Sequence, residues 1–146
     1  MKSVKILATS IIILSIIISA CSNLQKQVNP VPIYENITPT ESFRLIQNNL
    51  NNNNFIILDV RTQEEIKNGY IKNAIFIDYK KPNFEKKLNS LKKSNIYLVY
   101  CKGGFRSQKA INLMRERGFH YLYNMDGGFD KWKEAELPYK ISPKSN

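Results

Sequence analysis

Apolar and polar positions alternate along residues 33–135 in a pattern that predicts strands and helices in turn. Five short apolar segments predict strands, at residues 33–37, 55–60, 74–77, 96–100 and 121–123. Helical spacing of apolar residues follows each of them. Near-continuously apolar strands that alternate with helices are typical of a parallel sheet buried on both faces. The pattern therefore predicts an α/β fold of three layers, with a five-stranded, mostly parallel sheet between two layers of helices.

The predicted helices have recognisable ends. Thr38 and Glu41 have the spacing of a capping box, and Pro39 stands at the first helical position between them. A second capping box, Thr62 and Glu65, begins a short helix that Asn68-Gly69 closes. The further signals are apolar faces at Phe43, Ile46 and Leu50 and at Phe84, Leu88 and Leu91, and helices over 107–117, before Gly118, and over 129–135.

The first twenty residues have the composition of an export signal. Lys2 and Lys5 precede the apolar run 6–18, and Ser19-Ala20 supply small residues before Cys21. An uncleaved membrane anchor is the alternative, but the run is shorter than the roughly 20 residues of a spanning helix and contains polar residues. Residues 18–21, Ile-Ser-Ala-Cys, resemble a bacterial lipoprotein signal. The resemblance implies cleavage before Cys21, lipid on its sulfur, and an extracytoplasmic, membrane-anchored protein; which membrane carries it stays open.

Composition divides the remaining chain into a short tether and one domain. Residues 21–32 are polar with two prolines and predict a flexible tether, residues 33–140 a single folded domain, and residues 141–146 a C-terminal tail. The formal net charge of the whole chain is +10. This charge suits an anionic membrane surface or a small anionic substrate. Nucleic acid is disfavoured as a partner, because the lysines are scattered and no basic stripe with interleaved aromatic residues is present.

The cysteine count restricts the redox chemistry. The chain has two cysteines. If Cys21 carries lipid, Cys101 is the only thiol, so the domain has no internal disulfide and its thiol partner must come from outside. We expect neither a cofactor nor a metal.

Polar residues follow three of the predicted strands, and parallel topology would bring them to one edge of the sheet. Asp59 and Arg61 follow the second strand, Asp78 the third, and the segment 101–106 the fourth. This last segment joins a strand end to a helix N-terminus through Gly103 and Gly104, which favours an anion cradle. Cys101 is therefore expected to be largely thiolate near neutrality, although a buried structural cysteine is the alternative. Lys102 and Arg106 add positive charge to the same loop.

The motifs together resemble the rhodanese-like family. Its active loop reads Cys-x-x-Gly-x-Arg, which Cys101, Gly104 and Arg106 match; further matches are Asp59-Val60-Arg61, residues 69–74, and residues 126–129 with Trp132. The resemblance covers about residues 33–138 and implies transfer of a sulfane sulfur through a Cys101 persulfide, from a small anionic donor such as thiosulfate to an external thiol or cyanide. It makes Cys101 and Arg106 catalytic and Asp59 and Arg61 supports of the loop. The backbone amides from Lys102 to Arg106, with Gly103, Gly104 and Phe105 between them, would hold the sulfur.

Two residues depart from the family pattern, and two others receive no chemical role. Tyr70 and Asn73 stand where many relatives have His and Gly. His120 begins a strand at the opposite edge from Cys101, and Trp132 has the spacing of a core residue.

Two other functions stay open. Phosphatases and arsenate reductases of this fold have one more residue between Cys and Arg, whereas four residues intervene here, and no evident acid for a leaving alcohol lies near the loop. A non-catalytic binding module is the third possibility, and retention of Cys101 and Arg106 argues against it.

Overall fold

The computed structural model describes residues 31–141. In chain order its elements are β1 (Ile33–Ile37), α1 (Pro39–Asn48), β2 (Phe55–Asp59), α2 (Gln63–Lys67), β3 (Ile75–Phe76), α3 (Phe84–Asn89), β4 (Ile96–Tyr100), α4 (Phe105–Glu116), β5 (Tyr121–Met125) and α5 (Gly128–Glu134). The strands form one sheet in the order β1-β5-β4-β2-β3, and every neighbouring pair is parallel. The predicted α/β fold is confirmed.

Several predictions fall on residues outside this range. The signal 1–20, residues 21–30 of the tether and residues 142–146 of the tail lie outside the described residues. Within residues 31–141, no helix has the length and apolarity that a membrane crossing requires. The same residues contain no cluster of three or more His, Cys, Asp or Glu side chains that could hold a metal ion.

Both predicted capping boxes are confirmed. The Thr38 hydroxyl accepts a hydrogen bond from the Glu41 amide at 3.2 Å, and the Glu41 carboxylate accepts one from the Thr38 amide at 2.8 Å. Thr62 and Glu65 make the corresponding bonds at 3.4 and 2.9 Å. Each box satisfies amides that the first turn of a helix leaves without partners.

The third strand is shorter and more exposed than its apolar sequence predicts. Residues 74–77 were expected to form an apolar strand, and a strand is present, but only over Ile75 and Phe76, which are 37% and 41% exposed. The two residues are exposed because β3 lies at the edge of the sheet, where one side of the strand has no neighbour.

Several boundaries of helices and strands also differ from prediction. α4 begins at Phe105 and not at residue 107, because Gly104 adopts a φ of +90° and turns the chain directly into the helix. Leu50 and Leu91, expected on helical faces, lie beyond the ends of α1 and α3, and Leu50 is 64% exposed. The last strand continues to Met125, two residues beyond its predicted end.

The sheet separates two apolar layers, and β4 contributes to both of them. Tyr97, Val99 and Cys101 belong to the layer that α3 and α4 cover, which we call layer 1. Leu98 and Tyr100 point to the other side, where layer 2 forms with α1 and α5. Alternation along a single buried strand therefore assigns Cys101 to the α4 side.

Two of the residues without a predicted chemical role lie where expected. Trp132 is 1% exposed in layer 2, and its indole N–H donates to the Pro138 carbonyl at 3.2 Å. His120 precedes β5, and its carbonyl accepts from the Ile33 amide where β1 and β5 begin, at the other end of the strands from Cys101.

The two departures from the family pattern have local explanations. Asn73 has a φ of +66°, a left-handed conformation that glycine adopts freely and asparagine tolerates better than most residues. The Tyr70 ring packs edge-on against Phe76, with 5.4 Å between ring centroids. Neither residue contacts the segment 101–106 through a hydrogen bond of the described chain.

Candidate active site

The parallel strands bring the predicted site segments to one edge of the sheet. β2 and β4 are neighbours, with Asp59 opposite Tyr100, so Arg61 and Cys101 follow adjacent strand ends. Asp78 lies after β3 at the same edge, where its carboxylate accepts from the Lys80 amide at 2.9 Å. Asp78 thus closes its own turn, and no hydrogen bond of residues 31–141 joins it to the Cys101 loop.

Cys101 is buried, yet its sulfur is hydrogen-bonded. The residue is 1% exposed, and its Sγ accepts from the Gly104 amide at 3.1 Å. The Ser107 hydroxyl also lies within reach, 3.7 Å from Sγ, but its nearer acceptor is the Gly104 carbonyl at 2.8 Å. Because a hydroxyl has one proton, the Gly104 amide is the principal donor to the sulfur. The sulfur therefore lies beside the N-terminus of α4, with one backbone amide directed at it.

The loop around the sulfur has further amide donors. Four amides of the loop pair with no backbone or side-chain acceptor in the described part of the chain: those of Lys102, Gly103, Phe105 and Arg106. The last two belong to the first turn of α4, whose amides lack partners within the helix. The four amides that the family resemblance assigns to sulfur binding, beside that of Gly104, are therefore available.

The outer side of the loop is held by the start of α5. The amides of Phe129 and Asp130 donate to the carbonyls of Cys101 and Lys102 at 2.8 and 3.0 Å. Gly128 makes this approach possible: a Cβ atom there would lie 2.5 Å from the Cys101 carbonyl oxygen, and its φ is +58°. Gly128 of the 126–129 motif therefore supports the Cys101 loop directly.

Arg106 does not stand as an isolated cation. Its guanidinium forms a bidentate pair with Glu65, with N–O distances of 2.8 and 2.6 Å. These bonds lower the pKa of Glu65 to about 2 and raise the pKa of Arg106 above its ordinary value. The positive charge that Arg106 was expected to add to the loop is thus balanced by a carboxylate that also caps α2.

Asp59 and Arg61 form a buried ion pair beneath the loop. Arg61 is 2% exposed, and its Nη2 lies 2.6 Å from the Asp59 carboxylate. The same nitrogen donates to the Gly69 carbonyl at 2.7 Å, and the guanidinium carbon lies 4.0 Å from the centroid of the Phe129 ring. Burial alone would lower the pKa of Arg61, but its pairing with Asp59 raises that pKa above the ordinary value. Both side chains therefore bind other parts of the fold, and neither is hydrogen-bonded to the Cys101 sulfur.

The side chains of Lys102 and Phe105 face solvent beside the loop. Lys102 is exposed and forms no ion pair within residues 31–141. Phe105 is 71% exposed, and the Lys109 ammonium lies 4.5 Å from the centroid of its ring. The rim of the loop is therefore both apolar and basic.

Sequence reasoning missed three contributors to this site. Glu65 was assigned only to its capping box, Ser107 received no role, and Gly128 appeared only as part of a motif. A buried serine one turn into a helix gives no distinct sequence signal. Glu65 and Arg106 are 41 positions apart in the chain, so only the fold brings them together.

Comparison with known proteins identifies the family. The sequence profile of the rhodanese-like domain matches residues 42–135. The chain is 30% identical over 101 residues to the thiosulfate sulfurtransferase GlpE of Coxiella burnetii, and the match covers 69% of this chain and 89% of that protein. It is 34% identical over 102 residues to rhodanese-like domain-containing protein 17 of Arabidopsis thaliana, of which it spans 65%. A tRNA uridine(34) hydroxylase of Cytophaga hutchinsonii is 37% identical over 81 residues, and the match spans 26% of that longer protein.

A solved structure agrees with this assignment. The polysulfide-sulfur transferase homodimer of Wolinella succinogenes has 29% sequence identity and a TM-score of 0.62, with 77% of this chain and 82% of that chain covered. The fold and loop define a domain of the rhodanese class, and this chain belongs to the rhodanese-like domain family.

The Glu65–Arg106 pair predicts a pH dependence of stability. The folded-state pKa of Glu65 is about 2, below the ordinary 4.5, so the stabilisation is complete above about pH 4.5 and is lost as the pH falls towards 2. We expect Glu65→Gln to lower the free energy of unfolding by roughly 1–3 kcal/mol at pH 6 and by progressively less towards pH 2. Urea unfolding at several pH values measures the difference.

Glu64→Gln is the matched control, because the Glu64 side chain is 81% exposed and pairs only with Lys67 on the surface. Its effect should be small at every pH. A Glu65→Gln effect that does not change between pH 6 and pH 2 would contradict the assignment.

Gly128→Ala tests the contact between α5 and the loop. A Cβ atom would lie 2.5 and 2.6 Å from the carbonyl oxygens of Cys101 and Lys102, at a left-handed φ. We expect destabilisation by about 3 kcal/mol or more, measured by denaturant unfolding. Gly103→Ala is the control, since no atom lies within 4 Å of a Cβ at Gly103. Equal effects of the two substitutions would exclude the contact as a constraint.

Proposed function

We propose that this protein is a sulfurtransferase that carries a sulfane sulfur as a persulfide on Cys101. The observation that supports this most is the hydrogen bond from the Gly104 amide to Cys101 Sγ at 3.1 Å, within a loop whose neighbouring amides are unpaired in the described chain. Relatives named thiosulfate sulfurtransferase and polysulfide-sulfur transferase belong to the same family and agree with the proposal.

The chemistry requires two displacement steps. The Cys101 thiolate attacks the outer sulfur of a donor such as thiosulfate, a new S–S bond forms, the donor's S–S bond breaks, and sulfite leaves with its electron pair. An external thiolate or cyanide then attacks the outer sulfur of the persulfide, and Cys101 leaves as thiolate. The unpaired loop amides would bind the transferred sulfur between the two steps. Neither step needs an acid or a cofactor.

Burial of the sulfur favours a slender donor. Cys101 is 1% exposed, so a reagent must reach Sγ through the loop. A terminal sulfur atom with a single covalent neighbour meets that requirement better than a bulky phosphate ester. Phosphatase or arsenate reductase activity is disfavoured for a second reason, because four residues separate Cys101 from Arg106, one fewer than in the phosphatases and arsenate reductases of this fold.

The decisive measurement is the intact mass of the Cys21→Ser full-length chain, in which Cys101 is the only cysteine. Incubation with thiosulfate should add one sulfur atom, and cyanide or a reducing thiol should remove it. Cys101→Ser, introduced into the same Cys21→Ser chain, should show no adduct and should keep the far-ultraviolet circular dichroism spectrum of its parent. Arg106→Ala should load sulfur at least about tenfold more slowly, because the loop then loses this guanidinium and the Glu65 carboxylate is left unpaired.

Two outcomes would overturn the proposal. One is a folded, reduced protein that forms no adduct, which would favour a binding module. The other is unchanged sulfur transfer in Cys101→Ser.

We further propose that the mature protein is lipidated at Cys21 and anchored to a membrane outside the cytoplasm. The support is the sequence alone: a basic start, an apolar run and small residues directly before Cys21. Acyl chains contribute about 0.8 kcal/mol per buried methylene, so two or more would hold the domain stably at a membrane surface. The tether would leave Cys101 accessible to donors and thiols outside the cell's reducing interior.

The mass of the protein isolated from membranes of its own cell type tests the anchor. It should equal the chain cleaved before Cys21 plus lipid, and Cys21→Ser should release the protein from the membrane fraction. A mature mass equal to the unmodified polypeptide would exclude lipidation.

A further inference from the structure

A cavity of about 310 Å³ lies on the opposite face of the sheet from Cys101. Its walls include Ile71 and Trp132 of layer 2, whereas Cys101 belongs to layer 1. The apolar part of the lining comes from α1 and the residues just after it, the segment before β3, and α5 with the segment that follows it: Phe43, Ile46, Leu50, Ile71, Trp132, Pro138 and Tyr139. Sulfur transfer uses none of these residues.

The charged residues that line the cavity are all positive. Lys72 and Lys140 line it, Gln47 and Asn73 add neutral amides, and no carboxylate is among the lining residues. Neither lysine forms an ion pair within residues 31–141, although other surface lysines such as Lys67 and Lys131 do. Two unpaired cations beside an apolar wall complement a ligand with an anionic head and an apolar body.

The size of the cavity restricts that body. A cavity of about 310 Å³ lies at the lower end of the roughly 300–1,000 Å³ range of small-molecule pockets in proteins. An alkyl or aromatic group of about ten heavy atoms fits this volume. A phospholipid with two long acyl chains does not.

We propose that the cavity binds a small amphiphilic anion, with the apolar body against Phe43, Ile71 and Trp132 and the carboxylate or similar head group near Lys72 and Lys140. The proposal is independent of sulfur transfer at Cys101, because the two sites lie on opposite faces of the sheet. Either proposal, ligand binding in the cavity or sulfur transfer at Cys101, can therefore be disproved while the other holds.

Octanoate, with ten heavy atoms and one carboxylate, is the probe, and 1-octanol is its neutral match. Trp132 is the only tryptophan of the chain, so its indole N–H resonance reports on the cavity wall. We titrate the full-length Cys21→Ser chain with each compound and follow this resonance by NMR. Octanoate should shift it saturably and bind at least threefold more tightly than 1-octanol.

Substitutions separate the charged and apolar contributions. Lys72→Met/Lys140→Met keeps apolar stems and should weaken octanoate binding by roughly three- to tenfold while leaving 1-octanol binding unchanged. Lys86→Met/Lys93→Met removes two exposed lysines elsewhere and should change neither affinity. Leu50→Ser, at a position that is 64% exposed, should weaken both compounds.

Three results would overturn the proposal. The first is an indole resonance that octanoate does not move. The second is equal affinity for octanoate and 1-octanol, or an unaltered octanoate affinity in Lys72→Met/Lys140→Met. The third is a concentration-dependent dimer that shields Trp132 from octanoate and dissociates in Leu50→Ser, which would assign the cavity to a second copy of the chain.

Discussion

The buried guanidinium of Arg61 is the constraint on which the organisation of the site depends. A charge that is 2% exposed must be paired, and Arg61 meets this requirement with the Asp59 carboxylate and the Gly69 carbonyl. Those partners lie at the end of β2 and after α2, so Arg61 joins the strand end to the segment that follows α2. Its contact with the Phe129 ring extends the constraint to α5. The charge thereby connects the strand edge with both helices that touch the active loop.

The loop depends on these helices from two directions. From α2, Glu65 holds the Arg106 guanidinium, and from α5, the first amides hold the Cys101 and Lys102 carbonyls. With the carbonyls bound on the outside, the Gly104 amide bonds the sulfur and the neighbouring amides stay unpaired in the described chain. A pre-organised set of donors stabilises a charged sulfur without reorganisation at the moment of reaction. The proposed persulfide chemistry relies on this backbone arrangement more than on any acidic or basic side chain.

The two faces of the sheet are put to different uses. On the α4 side, Cys101 is part of the apolar core and is reached only through its own loop. On the other side, the helices leave a lined cavity with two unpaired lysines, which suits a larger and partly apolar anion. Trp132 lies in that cavity wall on α5, the helix whose first turn holds the active loop. The two proposed sites therefore share one structural element and no residue.

Much of the fold could be predicted because local signals agreed with the tertiary structure. Residue spacing predicted both capping boxes, the parallel direction of the strands and the position of Cys101 at a strand end. It could do so because strand burial and helix capping depend on neighbouring residues. The predictions were inaccurate where apolar residues are exposed to solvent. β3 is apolar but is the outermost strand of the sheet, and Leu50 continues the helical pattern beyond the end of α1. The sequence by itself thus determined the class of fold, the position of Cys101 at a strand end and the glycines of the loop that follows it. Only the tertiary structure decided that Glu65 neutralises Arg106 and that two lysines border one cavity, because ion pairing and cavity formation join residues that are remote in the chain.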